Sequence, residues 1–272
     1  MNPFSRLRFV VPLGAVILAG CSGASKDTYI ERPVETIYNI AMDQLFDKDY
    51  KGAAKTFDEV EQQHPYSVWA TKAQLMTAYA LYEDKRYDES IIASDRFIQL
   101  HPGHRDVAYA YYLKALDYYI QITDIERDQK ITQQALDSLS EVARRFPDSI
   151  YARDAKLKMD LTRDHLAGKE MEIGRYYETR GECLAAVNRF QVVIKNFQTT
   201  THVPEALHRM VECYYALGLN DEAKRTAAVL GFNYPGSRWY DASFSLMTTG
   251  SEGPPPQSRS WIARIVDPFG IF

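Results

Sequence analysis

The chain has 272 residues, of which 46% are hydrophobic and 25% charged, a composition typical of a folded globular protein. Its formal net charge at pH 7 is −4. Two of the 32 basic residues and none of the 36 acidic ones precede Cys21, so removal of that segment leaves a charge of −6. A nucleic-acid backbone requires a basic surface, so nucleic acid is not an expected partner.

The N-terminal 20 residues have the pattern of a cleaved export signal. Arg6 and Arg8 precede the apolar run 9–18, which is too short to span a bilayer. The small residues before Cys21 resemble a bacterial lipobox, which implies a diacylglycerol on the sulfur and an N-acyl lipid on the new N-terminus. An ordinary signal peptide with an incidental cysteine is the alternative. Several acyl chains give stable membrane anchoring. An Asp directly after the lipidated Cys resembles an inner-membrane retention signal. Because Ser22 stands at that position, the outer membrane is the expected location.

A small-residue register recurs five times along the body of the chain. An Ala or Ser is followed by apolar or small residues four and seven positions later and, in four of the five copies, by Pro twelve positions later. A small residue twelve positions earlier accompanies several copies. The register positions are Ala53, Ser90, Ala135, Ala186 and Ala223. Residues at these offsets share one helix face, and Pro ends a helix, so each copy predicts a helix–turn–helix unit.

The spacing of the copies predicts where the repeat is interrupted. Ala53 to Ser90 and Ala186 to Ala223 both span 37 residues, close to the 34-residue period of the tetratricopeptide repeat family, which the pattern resembles. The 45-residue step to Ala135 predicts an insertion over residues 123–128. The 51-residue step to Ala186 predicts an extra connecting helix over residues 152–166. The predicted fold is all-α, a tetratricopeptide-repeat solenoid of five helix pairs with an extra connecting helix.

Several short stretches resemble a more specific family. They are residues 94–98 followed by 101–102, residues 164–167, the segment Tyr-Tyr-Glu-Thr-Arg-Gly at 176–181 and the segment Ala-Val-Asn-Arg at 186–189. With the lipobox, they resemble the BamD family, the lipoprotein subunit of the machine that assembles outer-membrane β-barrel proteins. The resemblance implies attachment to the inner leaflet of the outer membrane, facing the periplasm. It also implies three kinds of partner: a BamA-like barrel insertase, other lipoproteins of the machine and unfolded β-barrel substrates.

Binding is the expected activity, because no catalytic motif is present. The sequence has no nucleophile elbow, P-loop or dinucleotide-binding glycine pattern, and the His-Pro-Gly-His stretch at 101–104 has too few ligands for zinc. We therefore expect a chain that is not an enzyme and that needs no cofactor or metal beyond the lipid on Cys21. A repeat-containing adaptor that recruits or regulates a cell-wall (peptidoglycan) enzyme is the alternative function.

Candidate binding residues fall into two groups. The first helices of repeat proteins line a groove, and tyrosine suits a surface that is both packed and wet, although the same residues also suit the core between repeats. The groove candidates are Tyr38, Met42, Leu75, Tyr79, Tyr82, Tyr112, Leu116 and Tyr119. The family resemblance implies a partner-binding arginine at Arg189 and a second candidate at Arg180. A solvated arginine on a helix surface is the alternative for both.

The sequence also predicts the division of the chain. Residues 1–20 form the signal peptide and 21–32 a lipidated linker. Residues 33–149 hold repeats one to three, and 150–248 hold the connecting helix with repeats four and five. Residues 249–272 form a Pro/Gly linker and an amphipathic tail, whose role stays open between docking on a partner or lipid and packing back on the body. Cys183 and Cys213 form either a disulfide, as export permits, or two buried free thiols.

Overall fold

The structure, a computed structural model, describes residues 32–122 and 129–249, with no side-chain detail for the last of them. The helices described below belong to one compact unit that begins at Pro33. This described part contains eleven α-helices and no strand. In chain order they are α1 Val34–Phe46, α2 Tyr50–Gln63, α3 Val68–Glu83, α4 Tyr87–Leu100, α5 Val107–Ile120, α6 Lys130–Arg145, α7 Ile150–Thr179, α8 Cys183–Asn196, α9 Val203–Ala216, α10 Asn220–Asn233 and α11 Arg238–Thr249.

The helices form five antiparallel pairs, α1–α2, α3–α4, α5–α6, α7–α8 and α9–α10, and consecutive helices pack on one another throughout. The first helices of neighbouring pairs also meet directly, α1 with α3, α3 with α5 and α5 with α7. These helices therefore share one side of the array, which we call the first-helix face. The prediction of an all-α tetratricopeptide-repeat solenoid of five helix pairs is confirmed.

The small-residue register explains how closely the helices pack. In the first pair, Ala41 on α1 and Ala53, Phe57 and Val60 on α2 are all fully buried. In the fourth pair, the small position is Gly174, and a methyl group at this position would overlap the Phe190 ring at Cε1. Only a residue without a side chain leaves room for the buried Phe190 ring at this helix crossing.

The turn within four of the pairs uses one backbone motif. The middle one of its three residues has positive φ, at Lys48 (63°), Lys85 (62°), Gly181 (78°) and Gly218 (75°). The following amide donates to the carbonyl five residues earlier, as Arg86 does to Leu81 at 2.9 Å. This Schellman-type ending satisfies the last carbonyls of the first helix. It also turns the chain sharply, so the second helix begins two residues after the positive-φ position.

The second helices end where the register predicts. In α2, α4, α6 and α10 the last helical residue stands two positions before Pro65, Pro102, Pro147 and Pro235 respectively. Proline lacks an amide hydrogen and restricts the residue before it to extended backbone. In α8 the equivalent position is Gln198, yet the φ of Phe197 is −128°, the same as that of Phe146 before Pro147, and the helix ends in register. Neighbouring repeats and the Thr200 turn therefore suffice to end α8.

Two helices differ from the repeat pattern. The extra connecting helix predicted over residues 152–166 is the N-terminal part of α7, which continues unbroken for 30 residues into the first helix of the fourth pair. Gly168 is buried inside α7 and has no helix-ending residue beside it, so the helix does not stop there. The repeat pattern did not predict α11, whose Leu246 packs against Val211, Ala223 and Ala227 and covers the end of the last pair.

Candidate binding surfaces

Five tyrosines gather on the first-helix face where α3, α5 and α7 meet. We call Tyr79, Tyr82, Tyr109, Tyr112 and Tyr151 the tyrosine cluster. The ring centroid of Tyr151 lies 5.6 Å from that of Tyr109 and 5.2 Å from that of Tyr112. The Tyr112 and Tyr151 rings are stacked, with an angle of 28° between their planes. All five side chains are partly buried, so each keeps some surface in contact with solvent. Stacked, rigid rings that carry hydroxyl groups suit the binding of an extended peptide.

The electrostatics of the tyrosine cluster favour neutral phenols. Burial raises the pKa of Tyr109, and the neighbouring Tyr79 and Tyr151 hydroxyl groups raise it further. Burial raises the pKa of Tyr112, whose hydroxyl also donates a hydrogen bond to Asp154 Oδ2. Lys158 Nζ lies 2.7 Å from the same oxygen and keeps Asp154 charged. The cluster therefore offers phenol hydrogen-bond donors beside a fixed carboxylate and ammonium.

The structure distributes the groove candidates over three environments. Tyr79, Tyr82 and Tyr112 belong to the tyrosine cluster. Packing between helices holds Tyr38, Met42, Leu75 and Leu116, none of which is exposed. The Tyr38 ring, for example, lies 5.4 Å from the Phe57 ring and 4.8 Å from the Trp69 ring. Peptide binding by any of these residues stays a prediction. Tyr109 and Tyr151 were not among the candidates, although Tyr109 lies three residues before Tyr112 on the same helix face.

Tyr119 lies in a separate apolar cleft between α5 and α7. The cleft has a volume of about 480 Å3 and is lined by Tyr119, Ile120, Ile122, Leu161, Thr162 and His165. Ile120 and Leu161 expose 50% and 61% of their surface. Lys158 Nζ lies 5.5 Å above the Tyr119 ring. Since Lys158 also pairs with Asp154, this cation lies between the cleft and the tyrosine cluster.

The two arginine candidates lie in the fourth pair, Arg180 in the turn between α7 and α8 and Arg189 near the middle of α8. Arg189, on α8, keeps 43% of its side chain exposed and donates from Nη1 to Glu170 Oε2 at 3.2 Å. It lines a shallow depression with Tyr177, Ala185, Asn188 and Val192. Arg180 is exposed in the turn, where its guanidinium donates to the Tyr176 hydroxyl at 2.7 Å and stacks over the same ring. Both guanidinium groups are held in place and retain donors for a partner's carboxylate.

A partly buried ionic network joins the C-terminal part of α7 to α9. Arg209 Nη1 lies 2.9 Å from Glu212 Oε2, and Arg209 Nε lies 3.7 Å from both Glu178 and Glu205. Arg175 adds a second bond to Glu205 at 3.1 Å. Burial raises the pKa of Glu178 to about 7; Arg209 opposes this shift, and the two neighbouring carboxyl groups add to it. The sequence showed these charges but not their convergence, because they lie on two helices 30 residues apart.

Both histidines of the His-Pro-Gly-His stretch at 101–104 form hydrogen bonds within the protein. His101 Nε2 lies 2.8 Å from Gln74 Oε1, and His104 Nδ1 accepts the Asp106 amide at 3.2 Å. Within residues 32–122 and 129–249, no group of three His, Cys, Asp or Glu side chains is arranged to hold a metal ion.

In the same ranges, no helix is long and apolar enough to cross a membrane. The export signal, Cys21, the insertion at 123–128 and the tail lie outside the described residues.

Comparison with known proteins places the chain among bacterial lipoproteins. Residues 30–230 match the family model YfiO, described as an outer membrane lipoprotein. The outer membrane protein assembly factor BamD of Caulobacter vibrioides is 50% identical over 238 residues, covering 86% of this chain and 78% of that protein. BamD of Rickettsia prowazekii is 47% identical over 232 residues, covering 85% and 92%. Among solved structures, the TPR2AB domain of yeast Sti1 aligns over 80% of this chain and 83% of that one, with 10% identity and a TM-score of 0.41. Since the family model spans well over half of the chain and both relatives align along most of it, the chain belongs to the YfiO family of outer membrane lipoproteins and is homologous to the BamD assembly factors.

Proposed function

We propose that the chain is a non-catalytic scaffold for the assembly of outer membrane proteins. Acylation of Cys21 attaches it to the inner leaflet of the outer membrane, and its repeats face the periplasm. The relatives named as outer membrane protein assembly factors support this role. The observation that carries the binding function is the tyrosine cluster, a partly open aromatic surface beside the Asp154–Lys158 pair.

The tyrosine cluster is proposed to bind extended segments of unfolded β-barrel proteins. Such segments alternate apolar and polar side chains, and the cluster offers ring faces together with phenol hydroxyl groups. The Asp154–Lys158 pair beside Tyr112 adds one acceptor and one donor of fixed position. Because tyrosine loses little conformational entropy on binding, a few rings are enough for measurable affinity.

The substrate assignment is tested with the Tyr79→Ala, Tyr82→Ala double variant. Binding of a fluorescent peptide from an unfolded β-barrel protein to the detergent-solubilised lipoprotein is measured by anisotropy, and helicity by circular dichroism. We expect affinity to fall by about tenfold or more, as for aromatic interface residues, with unchanged helicity. The control is Tyr66→Ala, since Tyr66 is fully exposed in the turn before α3. Equal affinities for the double variant and the control would remove the groove assignment.

The surface around Arg189 and Arg180 is proposed to bind the barrel-insertase subunit. Arg189 is half-exposed and oriented by Glu170, so it can form a bidentate pair with a partner's carboxylate without first becoming ordered. Arg189→Ala is expected to weaken insertase binding by about tenfold. The informative control is Glu170→Ala, which keeps the Arg189 guanidinium but no longer orients it, so affinity should fall by less than in Arg189→Ala. Loss of affinity in Glu170→Ala alone would mean that Glu170, and not Arg189, contacts the partner.

The proposed role as a whole is tested by purifying the acylated protein from native envelopes and identifying its partners by mass spectrometry. We expect an outer-membrane barrel protein with periplasmic domains in near-equal amount, together with other lipoproteins of the machine. Recovery of a peptidoglycan enzyme without a barrel protein would instead establish the adaptor function. Neither outcome depends on the tyrosine or arginine assignments, so the role and its binding sites are tested separately.

A further inference from the structure

Cys183 and Cys213 lie side by side between the fourth and fifth helix pairs. Cys183 is the first residue of α8, and Cys213 stands three residues before the end of α9. The six-residue connection 197–202 makes the two helices antiparallel, so the start of α8 lies beside the end of α9. Cys183 packs against the hydrophobic cluster that contains Cys213.

The two thiols differ in their access to solvent. Cys213 is only 1% exposed, among Val187, Phe190 and Met210, whereas Cys183 is partly buried at the edge of the same cluster. Both are free thiols in the structure. Burial raises the pKa of Cys213, and the neighbouring Cys183 thiol raises it further. Cys183 is therefore the sulfur that an external oxidant reaches, and Cys213 is the internal sulfur that follows.

We propose that Cys183 and Cys213 form a disulfide that fastens α8 to α9 once the chain has been exported. This inference rests on the proposed function only for the compartment, because disulfides persist outside the cytoplasm. The Cys183 thiolate attacks the disulfide of a thiol-oxidising protein, which forms a mixed disulfide and releases one carrier thiolate. The Cys213 thiolate then attacks Cys183 Sγ and releases the second. The chain loses two protons and two electrons, and the carrier disulfide becomes a dithiol.

The bridge constrains the region that holds the arginine candidates. Cys183 follows the turn in which Arg180 lies, and its helix carries Arg189. A covalent bond to α9 fixes the start of α8 at the end where a helix otherwise frays. It also closes a loop of about 30 residues, which disfavours the unfolded chain. The oxidised chain therefore unfolds at a higher temperature than the reduced chain.

The first test uses the full acylated chain purified under reduction and then equilibrated with oxidised glutathione. Trypsin releases residues 181–189 with Cys183 and residues 210–224 with Cys213. We expect mass spectrometry to find these peptides joined, and reduction to separate them. The oxidised chain should melt about 5 °C or more above the reduced chain. The Cys183→Ser, Cys213→Ser double variant is the control, and its melting temperature should not respond to reductant.

The second test examines the protein as cells make it. Whole cells are quenched in acid and alkylated under denaturing conditions, and the same digest is examined for the acylated N-terminus at Cys21. Joined peptides support the inference. An acylated Cys21 with both later thiols alkylated overturns the inference and leaves the proposed anchoring intact. An unacylated Cys21 counts against the proposed anchoring and not against the disulfide. In that case the glutathione experiment decides whether the disulfide forms. If the two peptides are not joined in that experiment, the disulfide is refuted.

Discussion

Asp117 is the buried side chain whose replacement the structure predicts most sharply. It is fully buried on α5, and its Oδ2 lies 2.8 Å from Ser90 Oγ on α4. Ser90 Oγ in turn lies 2.9 Å from the Ala78 carbonyl oxygen on α3. The serine has one hydrogen, so it satisfies the carbonyl only if a protonated Asp117 donates to Ser90. A neutral Asp117 thus completes a hydrogen-bond chain across three helices.

The pKa of Asp117 agrees with this chain of donors. Burial raises it from 3.8 to about 8, and the carboxylate of Asp88 adds to the shift; only a Ser90 hydroxyl that donated to the carboxylate would oppose it. The folded state therefore keeps a proton that the unfolded state releases above about pH 4. Stability is fully retained below that pH and falls as pH rises towards 8, by about 1.4 kcal/mol per pH unit.

We expect Asp117→Asn to be more stable than the wild type, by an amount that grows with pH. The asparagine amide donates to Ser90 but does not ionise, so the stability gain should increase by about 4 kcal/mol between pH 5 and pH 8. Urea unfolding of the detergent-solubilised protein at both pH values measures the difference. Asp137→Asn, an exposed isosteric change on α6, should leave the pH dependence unaltered. Parallel stability curves for the wild type and Asp117→Asn would refute the protonated carboxyl.

Two further predictions concern the backbone of the repeats. Gly174→Ala should destabilise the protein by about 1–3 kcal/mol, because its methyl group collides with the buried Phe190 ring, and Phe190→Leu in the same chain should recover part of the loss. Urea unfolding of the single and double variants checks this, and a stability gain from Gly174→Ala alone would contradict the packing argument. Lys85→Gly should stabilise by about 0.5–1 kcal/mol, since Lys85 holds a φ of 62° that costs a residue with a side chain. Thermal unfolding measures the stability of this variant beside that of Lys55→Gly, a change within α2 that should destabilise the protein by about 1 kcal/mol. Equal losses of stability in both variants would show that the positive φ of Lys85 does not determine the result.

The sequence predicted the features of the fold that depend on local rules. The Ala, Gly and Ser register fixed which residues of each pair approach closely, and the four prolines marked where second helices end. Both follow from the geometry of a single helix and its neighbour, so no distant contact is needed to read them. The unbroken α7 shows the limit of this reasoning. The 51-residue step from Ala135 to Ala186 predicted extra helical residues before the fourth pair. That these residues continue into the first helix of that pair depends on the absence of a helix-ending turn near Gly168, which the spacing does not show.

The binding surfaces were less predictable, because helical periodicity identifies a face and not its neighbours. Tyr38 and Tyr79 are groove candidates on successive first helices, yet Tyr38 packs on Phe57 and Trp69 while Tyr79 stays in the partly open tyrosine cluster. The difference lies in α3, which places Trp69 over Tyr38. Tyr151 belongs to the cluster because the N-terminal part of α7 lies beside α5 on the first-helix face. The extra segment that interrupts the repeat therefore also supplies the ring that stacks on Tyr112, and peptide binding there should depend on the length of α7.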